Sequence, residues 1–197
     1  MTKTIAMTLF DDVDELDVVG PWEVLTSWTR IRPDDGWQAV TVGVNGTQPV
    51  RCAKGMVITP QAARDDVGSI DAIMQLGGNG TVQLMKDDTH LTWIRAQLAQ
   101  GLLVTSVCTG ALVLAAAGIL RDRPATTHWA SLDQLAQIDS TINVRTDVRF
   151  VDDGDIVTSA GVSAGIDMSL HLVARLGSVD SAKEVRRLIQ YDPAPPV

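Results

Sequence analysis

A chain of 197 residues is long enough for one large domain with a substantial core, and 45% apolar with 20% charged residues is the balance of a globular protein. A net charge of -8 with no basic run excludes nucleic acid or an anionic membrane as the main partner and leaves a small molecule as the expected one. No stretch reaches the length of a membrane span, Met1-Thr2-Lys3-Thr4-Ile5 does not read as a signal peptide, and the expected compartment is the cytoplasm.

Residues 1–197 read as a single domain in which strand-like and helix-like runs alternate. A strand over Thr4 to Phe10 precedes a helix over Leu16 to Ile31, then strands over Trp37 to Val44 and Ala72 to Leu76. A helix from Thr89 to Gln100 leads to a strand from Leu102, a helix from Thr109 that Gly118 stops, and another helix after Thr127. A paired set near Val144 to Val151 and Ile156 to Ser159 follows, turned by Asp152-Asp153-Gly154-Asp155. Helices over Val162 to Leu176 and Ser178 to Ile189 close the chain before an extended Pro193-Ala194-Pro195-Pro196 tail. This order predicts an α/β fold: a mostly parallel sheet with helices on both faces and some antiparallel pairing near the end.

The run Ser106-Val107-Cys108-Thr109-Gly110 stands where the Leu102 strand ends and an apolar, core-type helix begins. A side chain at such a corner sits in a sharp, strained turn that needs small neighbours two residues either side, here Ser106 and Gly110. The thiol of Cys108 is therefore expected to project out of the sheet. Its place at a helix N-terminus predicts a lowered pKa and a thiolate at neutral pH. The alternative is one more buried structural cysteine, as expected for Cys52.

Ligands of open α/β sheets collect at the carboxyl ends of the strands, where the elbow, the Gly77-Gly78 turn and the loop after Phe10 should meet. Asp17 is an acid embedded in apolar residues, whereas Asp11, Asp12, Asp14 and Glu15 form a solvated cluster. Two readings of Asp17 stand side by side: a proton donor to the thiolate, its pKa raised by burial, or the N-cap of the first helix. Gly77 and Gly78 are expected to turn their amides toward a ligand as an anion nest with the amide of Thr109, or simply to make a turn. Thr109 is placed to hydrogen-bond the acid or a substrate atom, or to open the helix. Of three histidines only His128 is considered for catalysis, as a thiolate–imidazolium partner; His90 reads as solvated at a helix start and His171 as part of a stripe with Asp167 and Arg175. The histidines and two cysteines show no metal-ligand spacing.

Leu16-Asp17-Val18-Val19-Gly20-Pro21, Gly77-Gly78, Thr105-Ser106-Val107-Cys108-Thr109-Gly110, Ala125-Thr126-Thr127-His128-Trp129 and Ala164-Gly165-Ile166-Asp167 together resemble the ThiJ/PfpI superfamily, specifically its isocyanide hydratase branch. The resemblance implies a flavodoxin-like three-layer sandwich, a homodimer, and no cofactor. It implies Cys108 as nucleophile, Asp17 as its acid partner, Thr109 beside them, and backbone near Val162 bordering the site. Protease-like and glyoxalase-like branches place histidine directly after the cysteine or glutamate at the early acid position, where this chain has Thr109 and Asp17. The expected activity is hydration of an organic isocyanide to an N-substituted formamide. The alternatives are hydration or hydrolysis of another small electrophile, a glyoxalase-like activity, or a non-catalytic sensor that oxidises its cysteine.

Overall fold

The computed structural model describes residues 2–193. A seven-stranded sheet forms its middle layer. In chain order its strands are β1 (Lys3–Leu9), β2 (Trp37–Gly43), then after a small hairpin of β3 (Val50–Arg51) and β4 (Val57–Ile58), β5 (Ala62–Ala63), β6 (Ala72–Gln75) and β7 (Leu103–Ser106). Beyond β8 (Pro124–Ala125) and β9 (Asn143–Val144), which pair only with each other, β10 (Phe150–Asp152) and β11 (Ile156–Ser159) complete the sheet. The spatial order is β10-β11-β7-β6-β1-β2-β5, parallel throughout except for β10 against β11. The central strands lack polar-apolar alternation because both faces are covered: β6 is buried at every residue, and β1 at all but Lys3.

Helices α1 (Glu15–Ile31), α6 (Ala164–Leu176) and α7 (Val179–Leu188) pack on one another along one face. The other face carries α2 (Thr81–Leu84), α3 (Asp88–Ala99), α4 (Gly110–Ala116) and α5 (Leu132–Ile138). The all-apolar sequence of α4 is explained by its place: Gly110 through Ala115 are buried, and Gly118, with φ 74°, lets the chain turn away after it. The expected hairpin is present, with Gly154 at φ 84° and its amide donating to Asp152 Oδ1 at 2.9 Å.

Several expectations are corrected. Val144 does not join the last hairpin but pairs in parallel with Ala125, because Asn143 and Arg145 donate to carbonyls of Arg123 and Ala125. The late helix begins at Ala164, not Val162, since Val162 has φ 51° and lies in the turn before it. The strands β3 to β5 are too short to leave a period in the sequence. Of the proline tail, Ala194, Pro195 and Pro196 lie outside the described residues.

The elbow helix is held tightly against β6 at Gly110, where a Cβ would lie 2.3 Å from the Gln75 carbonyl oxygen and 3.0 Å from that of Leu76. Neither is free to move, being backbone of β6 and the turn after it. Gly110→Ala is expected to destabilise the fold by about 2–3 kcal/mol, read as a lower urea midpoint at unchanged slope.

Candidate active site

The carboxyl ends of β1, β6, β7 and β11 bring three segments together: the elbow after β7, the first turn of α1, and the turn before α6. Cys108 is the corner of the elbow. Its φ of 56° is unusual for a residue with a Cβ and is held by three hydrogen bonds. The Val107 amide donates to Gln75 O at 3.0 Å, the Cys108 amide to Ala160 O at 3.2 Å, and the Thr127 hydroxyl to Cys108 O at 2.8 Å. The thiol is turned inward, with Cys108 only 6% exposed, and the nearby amides of Val162 and Thr109 favour its charged form. Val162 is a β-branched residue at φ 51°, a second strained position facing the first.

Asp17 is fully buried one turn into α1. The N-cap of that helix is Asp14, whose side chain accepts from the Leu16 amide at 3.2 Å, so the capping alternative for Asp17 does not hold. Asp17 Oδ2 accepts the Gly77 amide at 3.1 Å, its carboxyl lies beside the Cys108 side chain where both crowd Gly77, and Oδ1 has no hydrogen-bond partner among the described residues. Pro21, four residues on, has no N–H to give to the Asp17 carbonyl, and packs toward Gly165 of α6.

The glycine turn works differently from the expected anion nest. The Gly77 amide is taken by Asp17, and the Gly78 amide by the Thr109 hydroxyl at 2.8 Å, which donates in return to Gly78 O at 3.2 Å. These donors hold the protein's own side chains. Gly77 is required for closeness, since a Cβ there would lie 2.7–2.8 Å from Asp17 Oδ2, the Thr109 nitrogen and Cys108 Cβ.

His128 is not hydrogen-bonded to Cys108. Its Nδ1 accepts the Ala130 amide at 3.3 Å, and its ring lies so close to Gly161 that a Cβ there would fall 2.2 Å from it. It lines a cavity of about 350 Å³ with Trp129, Arg149 and Gly161, adjoining the elbow through Thr127 and Ala160. The other histidines also depart from expectation. His90 is fully buried rather than solvated, and His171 bonds Asp152 at 2.6 Å rather than Asp167, which is bound instead by Arg149 and Tyr191. Asp14 and Glu15 are not freely solvated: both pair with Lys54 at the tip of the β3–β4 hairpin.

Burial sets the electrostatics. Desolvation, reinforced by the Asp14 charge, raises Asp17 to about 7 against the opposing effects of the Gly77 amide and the Cys108 side chain. Desolvation and the Asp17 charge push the Cys108 thiol up to about 12, outweighing the amides of Val162 and Thr109. The lowered pKa expected from the helix end is therefore overridden; α4 is only seven residues long and the carboxylate lies closer. Around neutral pH the two groups hold one proton between them once the first has left, a property of the pair rather than of either residue.

Such a sheet, with a strained inward-facing cysteine at a strand-to-helix elbow and a buried acid beside it, defines a three-layer α/β protein of the nucleophile-elbow type. The chain belongs to the DJ-1/PfpI family, whose model matches residues 3–175. It is 40% identical over 196 residues to an isonitrile hydratase of Pseudomonas putida, covering 100% of this chain and 82% of that one. A glutathione-independent glyoxalase of Caenorhabditis elegans, DJR-1.2, is 28% identical over 173 residues, 84% of each chain. Among solved structures, a ThiJ/PfpI family protein from Pseudomonas syringae superposes with a TM-score of 0.88 at 31% identity, over 100% of this chain and 78% of that one.

The neutral form of Asp17 is the one the fold prefers, so the stability it contributes is present below the ordinary carboxylate range and is lost as pH rises through about 7. Asp17→Asn removes that dependence. In urea titrations at pH 8 the variant is expected to exceed wild type by on the order of 4 kcal/mol, with the difference shrinking toward pH 4.

Proposed function

We propose that this chain hydrates an organic isocyanide to an N-substituted formamide, with Cys108 as nucleophile and Asp17 as acid and base. The observation that carries the reading is a buried carboxyl set against a buried elbow thiol, Asp17 Oδ2 and Cys108 Cβ both packed against Gly77. The similarity to an isonitrile hydratase over all of this chain and 82% of that one supports it. The reaction asks for one nucleophile and one proton shuttle at a single carbon, and that is what the pair supplies.

In the reactive tautomer the proton resides on Asp17 and the sulfur is a thiolate. The sulfur attacks the terminal carbon of the isocyanide while Asp17 delivers its proton to the same carbon, giving a thioimidate bound to Cys108. The Asp17 carboxylate then takes a proton from water as the oxygen adds to that carbon, and passes it to nitrogen. As the carbon–sulfur bond breaks and the formamide carbonyl forms, the hydroxyl proton returns to Asp17 and thiolate is restored. The amides of Val162 and Thr109 hold the sulfur's charge at the start and end of the cycle. The reading includes a cofactor-independent homodimer in the cytoplasm; Leu16 and Val19, each more than a third exposed on α1 beside Asp17, supply apolar surface for a second copy.

Formamide production from an aromatic or alicyclic isocyanide tests it. Cys108→Ala is expected to abolish turnover, and Asp17→Asn to lower kcat at least about 100-fold with the fold intact. Appreciable turnover by Cys108→Ala overturns the mechanism. Wild type that is inert toward isocyanides yet alkylates at Cys108 overturns the substrate class; turnover of dicarbonyls then favours a glyoxalase-like enzyme, and oxidation of Cys108 at low peroxide without turnover favours a sensor.

A further inference from the structure

His90 is fully buried on α3, outside the proposed reaction, and its bonds lead back to Asp17. Its Nε2 lies 2.7 Å from Gln75 Oε1, and its Nδ1 lies 3.5 Å from Arg64 Nη1. A guanidinium only donates, so Nδ1 is the acceptor and the ring proton sits on Nε2. The Gln75 carboxamide must then present its oxygen to His90 and its nitrogen elsewhere; Nε2 donates to the Leu76 carbonyl at 2.9 Å. That carbonyl and the Gly77 N–H belong to one peptide group, and the Gly77 N–H donates to Asp17 Oδ2 at 3.1 Å. Each group thus accepts on one side and donates on the other, always toward the carboxyl. The tautomer of His90, the orientation of Gln75 and the peptide between Leu76 and Gly77 are fixed by the same sequence of contacts.

We propose that Arg64, His90 and Gln75 are positioning residues that polarise and hold the Leu76–Gly77 peptide as the hydrogen-bond donor to Asp17. Aligned hydrogen bonds in a dry interior strengthen one another, so the Gly77 N–H is a better donor with the relay intact than without it. His90 and Gln75 are both fully buried, and His90 is kept neutral, lowered to about 4 by burial and by Arg64, so the relay does not reverse across the working pH range. Arg64 is itself anchored by Asp65, at 2.9 and 3.2 Å, and by the Trp93 ring, against which His90 also stacks. The charged and titratable groups facing Asp17 are Cys108 from the elbow, Asp14 from its own helix and Lys54 from the β3–β4 hairpin. Those facing His90 are Arg64 and Asp87. None of the second set bears directly on Asp17, so the relay's effect reaches it only through the peptide.

The inference rests on Asp17 being the acid partner of Cys108, and its test uses no substrate. The carboxyl C=O stretch of Asp17, isolated as the infrared difference between wild type and Asp17→Asn, is titrated in His90→Leu, Gln75→Met and His90→Gln, alongside the pH profile of Cys108 alkylation by iodoacetamide. His90→Leu and Gln75→Met are expected to raise the Asp17 midpoint by about half to one pH unit, a three- to tenfold change in its ionisation constant. His90→Gln, which can place an N–H near the lost Nε2, is expected to restore it. Should His90→Leu fail to fold, Gln75→Met and His90→Gln decide. An unmoved midpoint in folded Gln75→Met, or a midpoint that moves equally in His90→Gln, overturns the relay and leaves these residues as core packing. Because no isocyanide is used, failure of the hydratase reading is detected separately.

Discussion

The packing of the Cys108 thiol beside the Asp17 carboxyl, where neither group meets bulk water, is the interaction on which the rest of the site depends. An acid is costly to bury and a second acid beside it costlier, so the pair survives only because the surrounding backbone is fixed to receive it. Two strained residues do this together. Cys108 and Val162 each hold a backbone conformation that costs on the order of 1–3 kcal/mol, and each supplies the other's restraint. The Val162 amide favours charge on the sulfur, and the Cys108 amide donates to Ala160 O in the turn before α6. The elbow after β7 and the turn before α6 are one mechanical unit.

Around that unit the backbone donors are already engaged. The glycine turn looks like a cradle for an anion, but Asp17 and Thr109 occupy it, and the amides left to stabilise charge are those aimed at the sulfur. Charge stabilisation is thus concentrated on the nucleophile rather than on an oxygen of the substrate. That arrangement suits an addition in which the electrophilic carbon receives both the sulfur and the proton.

Much of the fold was legible because its signals are periodic and long. The buried strands β1, β2, β6 and β7, the helix α1 and the core helix α4 follow directly from apolar runs and their stops. The elbow was legible from residue size alone, Ser106 and Gly110 flanking Cys108. Three things were not. Strands of two residues, such as β5 and β8, are defined by their partners and leave no local pattern. The acidity of Cys108 was misjudged because helix position is visible in sequence while the distance to Asp17 is not. His90 was read as solvated because Asp87 and Asp88 precede it; Asp87 is an ordinary N-cap for α3, and the ring behind it turns inward to Gln75, a contact across 15 positions of sequence.

The two borders of the sheet carry a consequence for assembly. On one side it ends in β5, two residues long, and on the other in β10, three residues long and running against its neighbour, with Asp152 engaged by His171 and Arg175. Among the described residues, neither border offers a run of backbone groups long enough for another chain to add more than a very short strand. Growth of the central sheet from one molecule into the next therefore has no long edge to start from.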